Sequence, residues 1–413
     1  TINGTLHPAI PVGPYGAVWR ILNAGASRSY RLSLNNDDGK PLPMQLLAVD
    51  GVSVDGRASL SKDTMRMALA RKATLVPCPD ADGDKDDMVC ASDVRMMPSA
   101  RIEVRVLGAK GRSSPQKATL VTADFPTGDN GNGDDWPAIE LASVTIARRA
   151  RDAVPELLLG DSPMQAMSAT GALRAPARLQ VPGQRTPVAV DSARDRAPSA
   201  ALRPTVNDTL RQAPTIAIDP DLKYGRRADS ACVPLAAGHR RRIIFGNPTP
   251  GQDGFGLGYV EVDDKGQEIE ATRKKIARFD PTMTTVCVPL RPGGGAVDEV
   301  WELLNVTNED HNFHIHQTRF QVLDAATPDG TVLPTTISDA AVLHDNVPVP
   351  RAADTSGCDG SVEAVAAGKC QPLKVVVRIP FREIGDFVFH CHILEHEDGG
   401  MMSRIRVVPT AAR

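Results

Sequence analysis

What this chain lacks narrows it first. No run of apolar residues is long enough to cross a bilayer. No helix-period pattern of any length competes for the fold, which argues against a helical bundle. Charge of one sign is missing too, since 47 basic residues stand against 50 acidic ones for a net charge of −3. That balance gives no reason to expect nucleic acid or an anionic membrane as a partner. The knot Arg240-Arg241-Arg242 reads as a solvated strand end rather than a docking patch. Aromatic residues make up only 4% of the chain, so alternation and turn residues carry the reading of the fold.

Those signals are abundant. Short alternating runs such as Arg101-Ile102-Glu103-Val104-Arg105-Val106 and Lys374-Val375-Val376-Val377-Arg378-Ile379 are separated by many of the 34 glycines and 33 prolines. Short alternating strands between frequent turns predict an all-β fold of β-sandwiches. At 413 residues about two or three domains are expected. Residues 1–150 form a first strand-rich domain. Residues 151–213, rich in Ala, Arg, Pro and Ser, read as a linker or wrapping loop. Residues 214–413 form the last domain.

Seven cysteines divide as six plus one. Fifteen pairings of six are open in principle, and proximity along the chain favours Cys78–Cys90, Cys232–Cys287 and Cys358–Cys370. Two of these would close short loops, each stabilising by roughly 3 kcal/mol. Disulfides imply an oxidising compartment, so a periplasmic or secreted location is expected. The aspartates 80, 82, 84, 86 and 87 resemble a calcium loop only in part. The glycine is misplaced and Ala91 stands where a bidentate glutamate belongs, so a solvated, disulfide-closed loop is the better reading.

The remaining cysteine lies in the most informative segment, Phe387-Val388-Phe389-His390-Cys391-His392-Ile393-Leu394-Glu395-His396, which runs on to Met401. A second cluster, His311-Asn312-Phe313-His314-Ile315-His316, lies upstream, and the two hold six of the nine histidines. On strands, side chains alternate between faces. His390 and His392 therefore share one face and Cys391 takes the other; His314 and His316 share a face and His311 opposes them. Two histidines, a thiolate and a weak axial methionine are the ligands of a blue-copper electron-transfer centre. His311, Cys391, His396 and Met401 fit it, with Met402 as a competing axial candidate. The other four histidines then call for a second, all-imidazole copper cluster one residue from the thiolate. Such wiring suits a protein that collects single electrons at one site and delivers them at another.

HNFHIHQ followed by FVFHCHILEHEDGGMM resembles the two C-terminal copper motifs of the multicopper oxidases, which include laccases, bilirubin oxidases and bacterial cuprous oxidases. The resemblance implies tandem Greek-key cupredoxin domains. It places His311, Cys391 and His396, with Met401 axial, at a type 1 copper. It places His314 at a type 2 copper and His316, His390 and His392 at a binuclear type 3 pair, for four coppers in the complete enzyme. Glu397 matches an acid that feeds protons toward the oxygen site. Electrons would pass through Cys391 to His390 and His392, and dioxygen would be reduced to water.

The same resemblance implies two further His-x-His units from an N-terminal domain. No such unit precedes residue 314; His7 and His239 are isolated. Thr1 to Pro8 and Val18 to Ala24 resemble the opening of the family's middle cupredoxin domain, which holds no copper ligands. The N-terminal domain is therefore expected as a separate or cleaved chain, as a lost segment, or as absent from a natural short form; retention of all four imidazole-cluster histidines favours the first two. The reductant is expected to be a phenol, an aromatic amine or a metal ion. Met164 and Met167 are the only methionines of the long middle segment, which weakens a Cu(I)-oxidase reading. The segment from Thr335 to Arg351 is expected on the surface, with His344 exposed. A single-copper electron carrier, or an inactive remnant, is the alternative.

Overall fold

In a computed structural model the chain is β-structure almost throughout its described residues, which are 1–54, 69, 71–79, 88–110, 114–128, 133–149, 232–252, 254–283, 285–324 and 342–409. The expected linker (151–213), Met164, Met167 and the aspartate loop lie outside these residues. The first sandwich is one hydrogen-bonded path through Ala9–Val12, Ile139–Ile146, Gln116–Ala123, Tyr30–Asn36, Cys90–Met96, Met44–Val49, Arg101–Val106 and Ala17–Leu22. Alternation drives its folding strand by strand. Gln116–Ala123 buries Gln116, Ala118, Leu120 and Thr122 while Lys117 faces solvent. The inward residues meet in a core that includes Leu34, Leu46, Val104 and Val144.

The C-terminal sandwich packs a seven-stranded sheet on a five-stranded one. The larger runs Glu268–Ala277, Gly256–Val262, Arg240–Gly246, Val297–Asn305, Lys374–Phe381, Phe320–Asp324 and Leu343–His344. The smaller runs Val286–Pro289, Met402–Val408, Gly385–Cys391, His311–Ile315 and Asn346–Val349. Arg240–Gly246 lies parallel to Val297–Asn305, and Val286–Pro289 lies parallel to Met402–Val408. Parallel neighbours cannot be joined by a hairpin, so the chain crosses between strands as Greek-key connections do. The all-β, tandem Greek-key cupredoxin expectation is met. Aromatic rings fill the space between these sheets: Trp301 packs against Phe313, Phe381 and Phe389 with ring centroids 5.4 to 6.5 Å apart. Each buried phenylalanine contributes about 1.5–3 kcal/mol, and Cys391 lies in the same cluster.

All three expected disulfides are present, and Cys391 is the free, buried cysteine among the described residues.

Two expectations are corrected. Arg241 is not a solvated strand end: it is 4% exposed and forks onto Glu299, Nε to Oε2 at 2.7 Å and an Nη to Oε1 at 2.8 Å. The Trp301 indole N–H donates to the same carboxylate at 2.9 Å. Arg241 shares its face with the buried Ile243 and Phe245, which leaves its charge no route to water, so a partner must come with it. His344 is likewise no exposed loop residue. It sits in Leu343–His344, fully buried, with Nδ1 3.3 Å from Asp50 Oδ2. Asp50, from the first sandwich, also accepts from Lys72 Nζ at 2.8 Å, so a buried carboxylate recruits His344 inward.

Glu299→Ala strands the Arg241 guanidinium in the core and is expected to cost about 3–5 kcal/mol in denaturant unfolding. Removing Glu103 from its exposed pair with Arg20 should cost about 0–1 kcal/mol in the same assay. Burial alone would raise the Asp50 pKa, but Lys72 and His344 outweigh it and hold the carboxyl well below its ordinary range. A depressed carboxylate stabilises fully above its unfolded value, about pH 4, and loses that contribution as pH falls further. The stability gap between wild type and Asp50→Asn is therefore expected to narrow below about pH 4.

Candidate metal centre

Strand register assembles the site. His311–Ile315 pairs antiparallel with Gly385–Cys391, so that Phe313 stands opposite Cys391 and His314 opposite His390. On its other side the same strand pairs with Asn346–Val349, His311 opposite Val349 and His314 opposite Asn346. With side chains alternating along both central strands, the histidines and the thiol separate into two donor sets.

The first set is His311, Cys391 and His396, all buried, with donor atoms within 4.8 Å of one another. His311 Nδ1 and His396 Nδ1 are 3.0 Å apart, and Cys391 Sγ lies 3.8 Å from the former and 3.5 Å from the latter. A triangle of that size is what three donors about 2.0–2.3 Å from one ion would span. The other nitrogens are engaged. His311 Nε2 is 2.8 Å from Thr307 Oγ1, whose hydroxyl is committed as donor to Asn305 Oδ1, also at 2.8 Å. His396 Nε2 faces Glu309 Oε2 at 3.5 Å. Each imidazole thus rests its Nε2 on an outer oxygen and turns Nδ1 toward the sulfur, the usual outer support of a metal-ligating histidine.

Electrostatics agree with a cation at this place. Burial would lower the His396 pKa, yet the Cys391 sulfur and the Glu309 carboxylate push it up to about 10. His311, buried and facing His396, is driven well below its ordinary value. The Asn312 backbone N–H donates to Cys391 Sγ at 3.3 Å. Phe255 stacks on the His396 ring at 4.2 Å. It can close there because residue 399 is glycine: a Cβ at Gly399 would fall 2.5 Å from the Phe255 ring.

Met401 is fully buried within the Cys391 cluster. Its carbonyl accepts from the Cys391 N–H at 3.0 Å and its N–H donates to the His396 carbonyl at 2.9 Å. Met402 is half-buried and stands opposite His390.

The second set is His314, His316 and His390, again with donor atoms within 4.8 Å of one another. His392 joins it through ring contacts of 5.1 Å to His314 and 5.0 Å to His390. His316 Nε2 and His390 Nε2 meet at 3.1 Å. His314 Nδ1 is 2.8 Å from the Asp345 carbonyl and His390 Nδ1 is 3.1 Å from the Cys391 carbonyl, so both present Nε2 inward. Burial pulls His390 down to about 3 and His314 to about 4, and lowers His316 as well. Neutral imidazoles with converging lone pairs are a metal-binding donor set. Glu397 Oε2 lies 3.1 Å from His390 Nδ1, and burial raises its pKa. A cavity of about 700 Å³ adjoins this set, lined among others by His314, His316, Arg319, Asp345 and Arg382.

Thr307, Glu309 and Asp345 escaped the sequence reading. Nothing in their local pattern separates them from ordinary polar turn residues; only the fold brings them behind the ligands.

Residues 370–411 match the family model of the multicopper oxidases. Over this segment, which carries Cys391, His396 and Met401, the chain is similar to that family. A "Multicopper oxidase mco" of Staphylococcus haemolyticus is 34% identical over 113 residues, 26% of this chain and 20% of that protein. A "Laccase" of Bacillus stratosphericus is 29% identical over 118 residues, 27% of this chain and 20% of that protein. The matches thus span about a fifth of the length of these curated relatives. A multicopper oxidase of known structure from Campylobacter jejuni aligns with 98% of this chain and 56% of its own at 16% identity and a TM-score of 0.48.

Glu309→Ala removes the carboxylate behind His396 and is expected to weaken copper at the Cys391 set by about 10–100-fold, read by competition with a chelator.

Proposed function

We propose that this chain supplies the electron-accepting and oxygen-facing sites of a laccase-like multicopper oxidase. It would couple one-electron oxidation of phenols, aromatic amines or metal ions to reduction of dioxygen to water. His311, Cys391 and His396, with Met401, would hold one copper, and His314, His316, His390 and His392 would hold part of a trinuclear cluster. Copper at these places would supply one-electron redox chemistry and the binding of oxygen.

The observation that carries this reading is the continuity of the two donor sets. Cys391 and His390 are adjacent, and the His390 imidazole N–H returns to the Cys391 carbonyl at 3.1 Å. A covalent link and a hydrogen bond therefore join the thiolate to the imidazole set. The residues around the thiolate exclude water: Cys391, His311 and Met401 are fully buried, and Phe255 covers His396. Glu397, in contact with His390 Nδ1, is where we place the delivery of protons. The cavity beside His314 and His316 leaves room for further imidazoles, which we assign to an N-terminal cupredoxin domain on a separate or cleaved chain. Three disulfides support a periplasmic or secreted location.

The copper content of the purified protein tests the reading. A ratio near four, with blue absorption and oxygen uptake on a phenolic donor, is expected once the further domain is present. Cys391→Ser should abolish both the colour and the oxygen uptake. One copper with no oxygen uptake, or blue absorption that survives the serine, would overturn it, the former in favour of an electron carrier.

A further inference from the structure

We infer that Asp50, Lys72 and Arg101 of the first sandwich, which contributes no residue to either donor set, are positioning residues for the histidine set. The inference rests on the function proposed above and adds a task for the domain that bears no ligands.

His314 depends on one backbone atom. The Asp345 carbonyl accepts from His314 Nδ1 at 2.8 Å and from the Ile315 N–H at 3.0 Å. That bond fixes the tautomer and aims Nε2 at the other imidazoles. Yet Asp345 lies where the chain leaves one sheet for the other, between Leu343–His344 of the seven-stranded sheet and Asn346–Val349 of the five-stranded one. The Ile315 N–H holds that carbonyl from the strand side, but Asp345 is a bend between strands of two sheets, so contacts to it and its neighbours must hold the rest of the turn.

The first sandwich does so at three consecutive residues. His344 Nδ1 meets Asp50 Oδ2 at 3.3 Å. The Asp345 carboxylate is held by the Arg101 guanidinium, which also donates to the Asp50 carbonyl at 3.3 Å. Asn346 donates to Asp50 Oδ1 and to Asp345 Oδ1, each at 3.1 Å, and accepts from Lys72 Nζ at 2.5 Å. Lys72 closes the circuit onto Asp50 Oδ2 at 2.8 Å. Two cations and two anions therefore alternate around Asn346, and Asp50, Lys72, His344 and Asn346 are buried.

A buried charged network is a poor device for stability alone, since apolar side chains of similar volume often serve as well or better. What it provides is direction: its donors and acceptors share a fixed set of partners in one geometry. An apolar contact at the same place would cover the strand without deciding where the Asp345 carbonyl points. The Cys391 set has a different support. The second nitrogens of His311 and His396 rest on Thr307 and Glu309, inside the C-terminal sandwich. Loss of the Asp50–Lys72–Arg101 network should therefore reach one donor set and spare the other.

The test compares wild type, Lys72→Met, Arg101→Gln and Arg101→Lys. Cu(II) affinity of the histidine set is measured in a Cys391→Ser background, by calorimetry and by the nitrogen-ligand paramagnetic resonance spectrum. Blue absorption is measured separately with Cys391 intact. Exchange of the His314 Nδ1 proton, followed by NMR without metal, gives a readout independent of copper. Lys72→Met and Arg101→Gln are expected to weaken Cu(II) at the histidine set by about 10–100-fold and to speed that exchange. The blue absorption should stay as in wild type, and Arg101→Lys should recover most of the affinity. Equal losses at both sets, or none at the histidine set, would overturn the inference. Should Lys72→Met fail to fold, Arg101→Gln decides, because Arg101 is about a third exposed, at 34%. Wild type that binds no Cu(II) at the histidine set would sink the proposed function, and this inference with it.

Discussion

The structure of both donor sets depends on the register between His311–Ile315 and Gly385–Cys391. With Phe313 opposite Cys391 and His314 opposite His390, the two-residue period of the strand does the sorting. A slip of one position would carry every side chain of one strand to the opposite face. The thiol would then lose its histidines and the imidazole set would lose His390. Register is in turn secured by burial: Phe313 and Phe389 are wholly enclosed against Trp301, and a slipped strand would expose them. The chemistry of the ligands is thus protected by the packing of residues that are not themselves ligands.

Behind the ligands lies a second layer of polar contacts that decides which nitrogen each imidazole presents. For His311 and His396 the outer partners are a hydroxyl and a carboxylate, and the inner atom is Nδ1. For His314 and His390 the outer partners are backbone carbonyls, and the inner atom is Nε2. Burial favours the neutral form of His314 and His390, while a sulfur and a carboxylate raise His396. The same side chain therefore serves two different sites, set apart by what stands behind the ring.

Much of this was legible in the sequence. The parity of His390, Cys391 and His392 foretold two sites on two faces, and alternation in Arg101–Val106 and Lys374–Phe381 foretold the strands. The cysteine pairs followed from spacing. Tertiary partners were not legible. Arg241 and His344 look like surface residues in their own segments, and only Glu299 and Asp50, distant in sequence, make their burial tolerable. Asp345 acts through its carbonyl, an atom every residue possesses, so no residue type could have marked it.

The turn at residues 305–309 supports both imidazoles of the Cys391 set. Thr307 and Glu309, two residues apart, hold the far sides of His311 and His396, and Asn305 ties that turn to itself through Thr307. Two ligands, one from the strand His311–Ile315 and one from the short helix Leu394–Asp398, are therefore hung on a single hook. When the turn shifts, both rings shift together, and the distance between them changes less than the position of either. A metal held this way would keep the spacing of its donors nearly constant on a breathing protein, which is what the electron-accepting role proposed for it would require.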